Sequence, residues 1–178
     1  MSERKYTKEE ILKMKENADI AVMTMTTTGI GIGFVPVLID VTALTAAMGV
    51  GVVAIAKCYG YKLSEEDAGE LILNFLKAAG TTGICIAAGQ KIIMSLLKSN
   101  PISYIPVMIA DAVLCGSTAY AIGSTSEQYF RKRAEGKKAT QEEIREWMKD
   151  GKSKGKEISK KQAEAEAEKK KKEFEGQK

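Results

Sequence analysis

The chain contains no histidine. That absence excludes Ser-His-Asp and Cys-His catalysis, histidine general bases and every histidine-containing metal site. Cysteine is scarce. Cys58, Cys85 and Cys115 sit far apart in apolar surroundings and no CxxC pair exists, so the spacing of a zinc site is missing. An odd cysteine count without a signal-peptide pattern fits a reducing compartment, with each thiol a small apolar side chain. Aromatic residues make up only 6% of the chain, so tight packing must come from small and aliphatic side chains. Proline occurs three times, at Pro36, Pro101 and Pro106, and marks breaks between segments.

Charge is absent from long stretches. Between residues 20 and 56 the one charged side chain is Asp40, and between 103 and 126 it is Asp111. Residues 1–130 hold ten Lys/Arg and twelve Asp/Glu, and residues 131–178 hold seventeen and eleven. The formal net charge of +4 therefore comes from the C-terminal quarter. A neutral core with a basic appendage is expected, and not a uniformly basic nucleic-acid-binding domain. No small-molecule substrate or cofactor is suggested.

What is present is helix signal. Thr7 precedes Glu10, and Thr140 precedes Glu143, at capping-box spacing; Ser64 and Asp67 form a similar start. Ile11, Leu12, Met14, Ala18 and Val22 can line one face of an N-terminal amphipathic helix. Gly60 suits a helix C-cap. Ala, Met and Leu in 43–57 favour helix over strand. The reading is an all-α chain of Gly/Ala-rich helical hairpins packed as a compact bundle over residues 1–133. Its parts are an amphipathic helix at 5–28 and hairpin segments at 37–59, 64–98 and 103–133. Ile144, Trp147 and Met148 give a short apolar stripe at the start of a charged tail, residues 134–178, interrupted at Gly151 and Gly155. The tail beyond is rich in Lys, Glu and Ala with almost nothing to bury, so it is either an exposed helix or disordered.

The stretch GIGIGFVPVLID (29–40) raises the question of a phosphate loop. A Walker loop ends in Gly-Lys-Ser/Thr, and no Lys stands here; GICIAAGQK (83–91) has one residue too many and a Gln in the way. The dinucleotide fingerprint needs GxGxxG in a βαβ unit, whereas these glycines are spaced GxGxG and Pro36 follows. Gly29, Gly31 and Gly33 are therefore read as close-packing and bend positions. Pro36 and Pro106 are read as segment starts, and Asp40 and Asp111 as acids favoured near a helix N-terminus. A carboxylate pair or cation site formed by Asp40 and Asp111 is the alternative. VPVLID and IPVMIAD also echo one another, which fits either a duplicated hairpin or two independent proline-started helices.

Residues 20–39, 41–56, 78–97 and 101–126 approach the roughly 20 apolar residues of a membrane span, but the first two share Pro36 and Asp40 at their junction, the third includes Gln90 and Lys91, and the last contains Asp111. Arg131-Lys132-Arg133 could anchor the last at a cytoplasmic surface. A partly inserting hairpin, a docking bundle and true spans all remain open.

From GIGFVPVLIDVTALTAAMGVGVVAIAKCYGYKLSEEDAGELI onward the sequence resembles an uncharacterised domain. That domain follows Era-like GTPase domains and occurs in some bacterial inner-membrane proteins, at times under a tellurite-resistance label. The likeness rests on Gly31, Gly33, Pro36, Asp40, Ala43–Leu44, Met48, Ile55, Tyr59–Gly60 and Leu63–Ser64–Glu65–Glu66, with a second stretch at YIPVMIADAVLCGSTAYAIGSTSEQYF. It covers about residues 20–130 and leaves out the tail. The resemblance implies an all-α, membrane-associated module that accompanies a GTPase, with no catalytic residues to carry over. The functional expectation is a non-enzymatic, membrane-associated helical module on the cytoplasmic side that binds a protein partner. The alternatives are a soluble, cytoplasmic homo-oligomeric scaffold and a pore-forming helical hairpin.

Overall fold

The computed structural model describes residues 6–34, 41–80 and 105–176. These form five helices and no strand: α1 (Lys8–Gly33), α2 (Val41–Cys58), α3 (Glu65–Ala78), α4 (Ile105–Ala134) and α5 (Gln141–Gly176). The all-α expectation holds.

Local chemistry sets the helix ends. The Thr7 hydroxyl accepts from the Glu10 amide at 3.2 Å while the Glu10 carboxylate accepts from the Thr7 amide at 2.8 Å. Ser64 with Asp67 and Thr140 with Glu143 make the same reciprocal pairs. Each satisfies amides that a helix start leaves without partners. α2 ends as the Gly60 resemblance to a C-cap requires: Gly60 takes φ +76° and the Tyr61 amide donates back to the Ala56 carbonyl at 3.0 Å. Gly136 repeats this at the end of α4, where the Lys137 amide reaches the Lys132 carbonyl at 2.9 Å. Both are Schellman caps, which need a left-handed residue and so select glycine.

α4 lies at the centre, with its most extensive packing against α1 on one side and α5 on another; α2 and α3 close the bundle. The larger core gathers Val52, Ile55 and Tyr59 of α2, Ile72 and Phe75 of α3, Ile122 and Phe130 of α4, and Ile144 and Met148 of α5. A smaller one joins Ile30 and Phe34 to Ala112, Ala163 and Ala167. Fully burying one such Ile or Phe contributes roughly 1.5–3 kcal/mol.

Small residues let these helices approach closely. A Cβ on Gly33 would lie within 2.7 Å of the Asp111 carbonyl carbon and collide with the Ala112 backbone. A Cβ on Gly29 would stand 3.0 Å from the Cys115 carbonyl oxygen. On α5, Gly155 faces Ser117 and Tyr120, Gly151 faces Ala121 and Ser124, and Ser159 sits against Gly116. Gly151, Gly155, Ser159, Ala163 and Ala167 are all buried and recur every four residues. Residues four apart share one helix face, so this series is a continuous seam.

Several expectations are corrected. The N-terminal helix does not stop at 28 but continues to Gly33, because the threonines at 26–28 bond back into it and the glycines lie along it. Leu12 is not on the buried stripe; it is 58% exposed. The hairpin segment expected at 64–98, with an interruption at Gly80–Gly83, is not among these corrections: α3 ends at Ala78, Gly80 takes φ +67°, and residues 81–98 lie outside the described residues. The expected tail is not an appendage. α5 is helical to Gly176 and its small residues bury against α4.

Candidate functional site

The sequence-selected positions do not converge. Gly29 and Gly33 lie in the α1–α4 seam, as close packing predicted. Gly31 does not: it is exposed and a Cβ there would meet nothing within 4 Å. None of these three bends the chain, since α1 runs through all of them. Pro106 is the second residue of α4 and exposed, consistent with proline in a first turn. Asp111 is the seventh residue of α4, a turn beyond the region where a helix start favours an acid. Burial raises its carboxyl above the ordinary range. Pro36 and Asp40 lie outside the described residues, so the proposed pairing of Asp40 with Asp111 does too. Cys58 and Cys115 are reduced and half-buried, and Cys85 lies outside the described residues. Burial pushes the Cys115 thiol up to about 11, with Asp111 acting in the same direction.

Two features emerge that the sequence did not announce. The first is a buried polar node. The Tyr59 hydroxyl donates to Glu127 Oε1 at 2.7 Å, and Arg131 Nε lies 3.3 Å from the same oxygen, one turn along α4. Lys15 and Asp19 of α1, 2.5 Å apart, flank the node. Glu127 is 5% exposed. Burial pushes its carboxyl above the ordinary range, opposed by the Tyr59 hydrogen bond and by Arg131 and Lys15. Burial, then the bond to Glu127, holds the Tyr59 phenol far above its usual value. The node ties α1, α2 and α4 together with its charges matched.

The second is the outward face of α1. Ile20 is 67% exposed and Met23 38%. With Asp19, Thr24, Thr27 and Thr28 they line a shallow, open trough along one face of α1. The three threonine hydroxyls donate to the carbonyls of Ile20, Met23 and Thr24 at 2.9, 3.1 and 3.0 Å. Their hydrogen-bonding demand is met inside the helix. What faces outward is therefore largely hydrocarbon, and Gly31 extends it as a flat spot. Among the described residues no three acidic or cysteine side chains are grouped to hold a metal ion. No helix among them is long and apolar enough to cross a membrane.

A protein-family model described as a domain of unknown function, DUF697, matches residues 6–166. The chain belongs to that family. No curated protein and no solved structure matches it. The DUF697 match reaches well beyond residues 20–130, where the resemblance was first drawn. It takes in α5 as far as residue 166, in keeping with the seam that fastens this helix to α4.

Proposed function

We propose that the chain is a non-enzymatic, membrane-associated helical module, on the cytoplasmic side, that binds a protein partner and is accessory to a GTPase. The observation that carries this reading is the outward face of α1. Ile20 and Met23 stand exposed beside threonines whose hydroxyls are already bonded. Such a face gains by covering its apolar part, and its threonines have no proton left to donate. An apolar helix fits it, since helices approach most closely over small residues, and the occupant proposed is a helix of the partner protein. The GTPase and membrane parts rest on the family resemblance.

The test combines two measurements on the full chain. A photoreactive residue replaces Thr27 in cells, and adducts are identified by mass spectrometry. The purified chain is also floated with anionic and neutral vesicles at low and high salt. A crosslink to a GTPase-domain protein, with vesicle binding, is the expected result. A crosslink to a second copy supports the soluble homo-oligomeric scaffold instead. A chain that stays monomeric and vesicle-free without detergent, and forms no adduct, overturns the proposal.

A further inference from the structure

The net charge of the chain is concentrated in one place. Residues 152–161, KSKGKEISKK, hold Lys152, Lys154, Lys156, Lys160 and Lys161 against Glu157 alone, a sum of +4 that equals the formal net charge of the whole protein. The longer lysine run, Lys169–Lys172, lies among Glu166, Glu168, Glu173 and Glu175 and sums to zero. All five lysines of 152–161 are exposed. Among the described residues Lys160 meets Glu164 at 3.9 Å, and the other four make no ion pair.

These lysines are carried on rigid backbone. On the same turns Gly155 is pressed onto Ser117 and Tyr120, and Ser159 onto Gly116; Lys152, Lys156 and Lys160 follow one flank of that seam, and Lys154 and Lys161 lie round the other side. Ten helical residues span about 14 Å. The cations thus project from a short, fixed platform and not from a fraying end, so little order is lost when they meet an anionic surface. Before the platform Lys149 and Asp150 offset each other, and after it Glu164, Glu166 and Glu168 follow with no lysine between them. A stiff linear polyanion laid along α5 would meet repulsion beyond residue 161. A bilayer can instead gather mobile anionic headgroups beneath the lysines alone.

We infer that the outward side of residues 152–161 docks the chain on a bilayer containing anionic lipid. The inference rests on the membrane-association reading above and names the surface that makes it. The test measures binding of the full chain to phosphatidylcholine vesicles with and without phosphatidylglycerol. The variant K156Q/K160Q/K161Q is compared with K138Q/K169Q/K172Q, which removes the same charge from exposed lysines elsewhere. Expected is binding that needs phosphatidylglycerol and weakens with salt, reduced at least about tenfold by the first variant and much less by the second. Equal losses in both variants, or none in either, overturn the docking surface while leaving membrane association standing. A wild-type chain that binds neither vesicle overturns both. A duplex oligonucleotide held more tightly than the anionic vesicles at the same salt overturns the lipid assignment.

Discussion

The Tyr59 hydroxyl donates to the Glu127 carboxylate at 2.7 Å, joining the last turn of α2 to α4 across 68 positions of sequence. Removing the donor leaves a buried carboxylate with one partner fewer. Tyr59→Phe is therefore expected to cost roughly 1–3 kcal/mol, measured by urea unfolding.

Glu127 also sets a pH dependence whose sign follows from its surroundings. Burial raises its folded carboxyl above the ordinary 4.5. A group raised in the folded state contributes stability that is fully present below its unfolded value and lost as pH rises through its folded value. Glu127→Gln removes this titration. The variant is expected to gain stability relative to wild type on going from about pH 4 to about pH 7. Unfolding midpoints measured across that range check it, and a constant difference would contradict it.

The seams predict a contrast among glycines. A Cβ on Gly155 would lie 2.9 Å from the Ser117 carbonyl oxygen and 2.8 Å from Tyr120 Cβ, whereas one on Gly31 meets nothing within 4 Å. Gly155→Val is expected to lose about 1–3 kcal/mol through overpacking. Gly31→Ala is expected to gain roughly 0.5–1 kcal/mol, because glycine inside a helix costs about that much relative to alanine. Chemical denaturation of both variants checks the pair.

The same contrast explains what could be read from the sequence. Thr7 with Glu10, Ser64 with Asp67 and Thr140 with Glu143 were legible because a cap and its partner lie three residues apart. Gly29 and Gly33, four apart, share a face, and Gly31 between them points away; that much follows from helical spacing alone. The α5 seam was overlooked because Gly155, Ser159, Ala163 and Ala167 carry little hydropathy, and only their four-residue period betrays them. Leu12 is 58% exposed although its neighbour Ile11 is partly buried, and adjacency alone does not say which of the two turns outward. The polar node was not legible: EQYFRKR reads as a charged helix end, and nothing local points from Glu127 to Tyr59. Nor does spacing reveal that threonines 24, 27 and 28 spend their hydroxyls on their own helix.

The start of α5 should loosen in acid. Glu143 bonds Lys132 and caps Thr140, and these contacts, led by Lys132, hold its carboxyl down at about 2. A depressed carboxyl contributes stability present above its unfolded value of 4.5 and lost as pH falls toward about 2. Protection factors of the amides in the first turn of α5, which divide out the intrinsic pH dependence of exchange, are expected to fall through that window, and Thr140→Ala to mimic part of the loss at neutral pH, at a cost of about 0.5–2 kcal/mol. Unchanged protection below the window would show that the cap and ion pair do not hold this end.

The outward face of α1 makes the sharpest demand, because the reading assigns opposite fates to two substitutions at one position. The Thr27 hydroxyl donates to the Met23 carbonyl at 3.1 Å, so its proton is spent within the helix and only its acceptor lone pairs remain. Thr27→Val keeps the shape and the outward hydrocarbon and is expected to retain partner binding in full. Thr27→Lys places a long charged chain on the trough and is expected to abolish it. The position is solvent-facing, so folding stability should move by no more than about 0.5 kcal/mol in either variant. Crosslinking from a photoreactive residue at Met23, scored in both variants beside a thermal melt, separates the outcomes. Loss of the adduct in Thr27→Val would mean that the hydroxyl itself is recognised and that the face is polar in use; retention in Thr27→Lys would mean that the partner sits elsewhere.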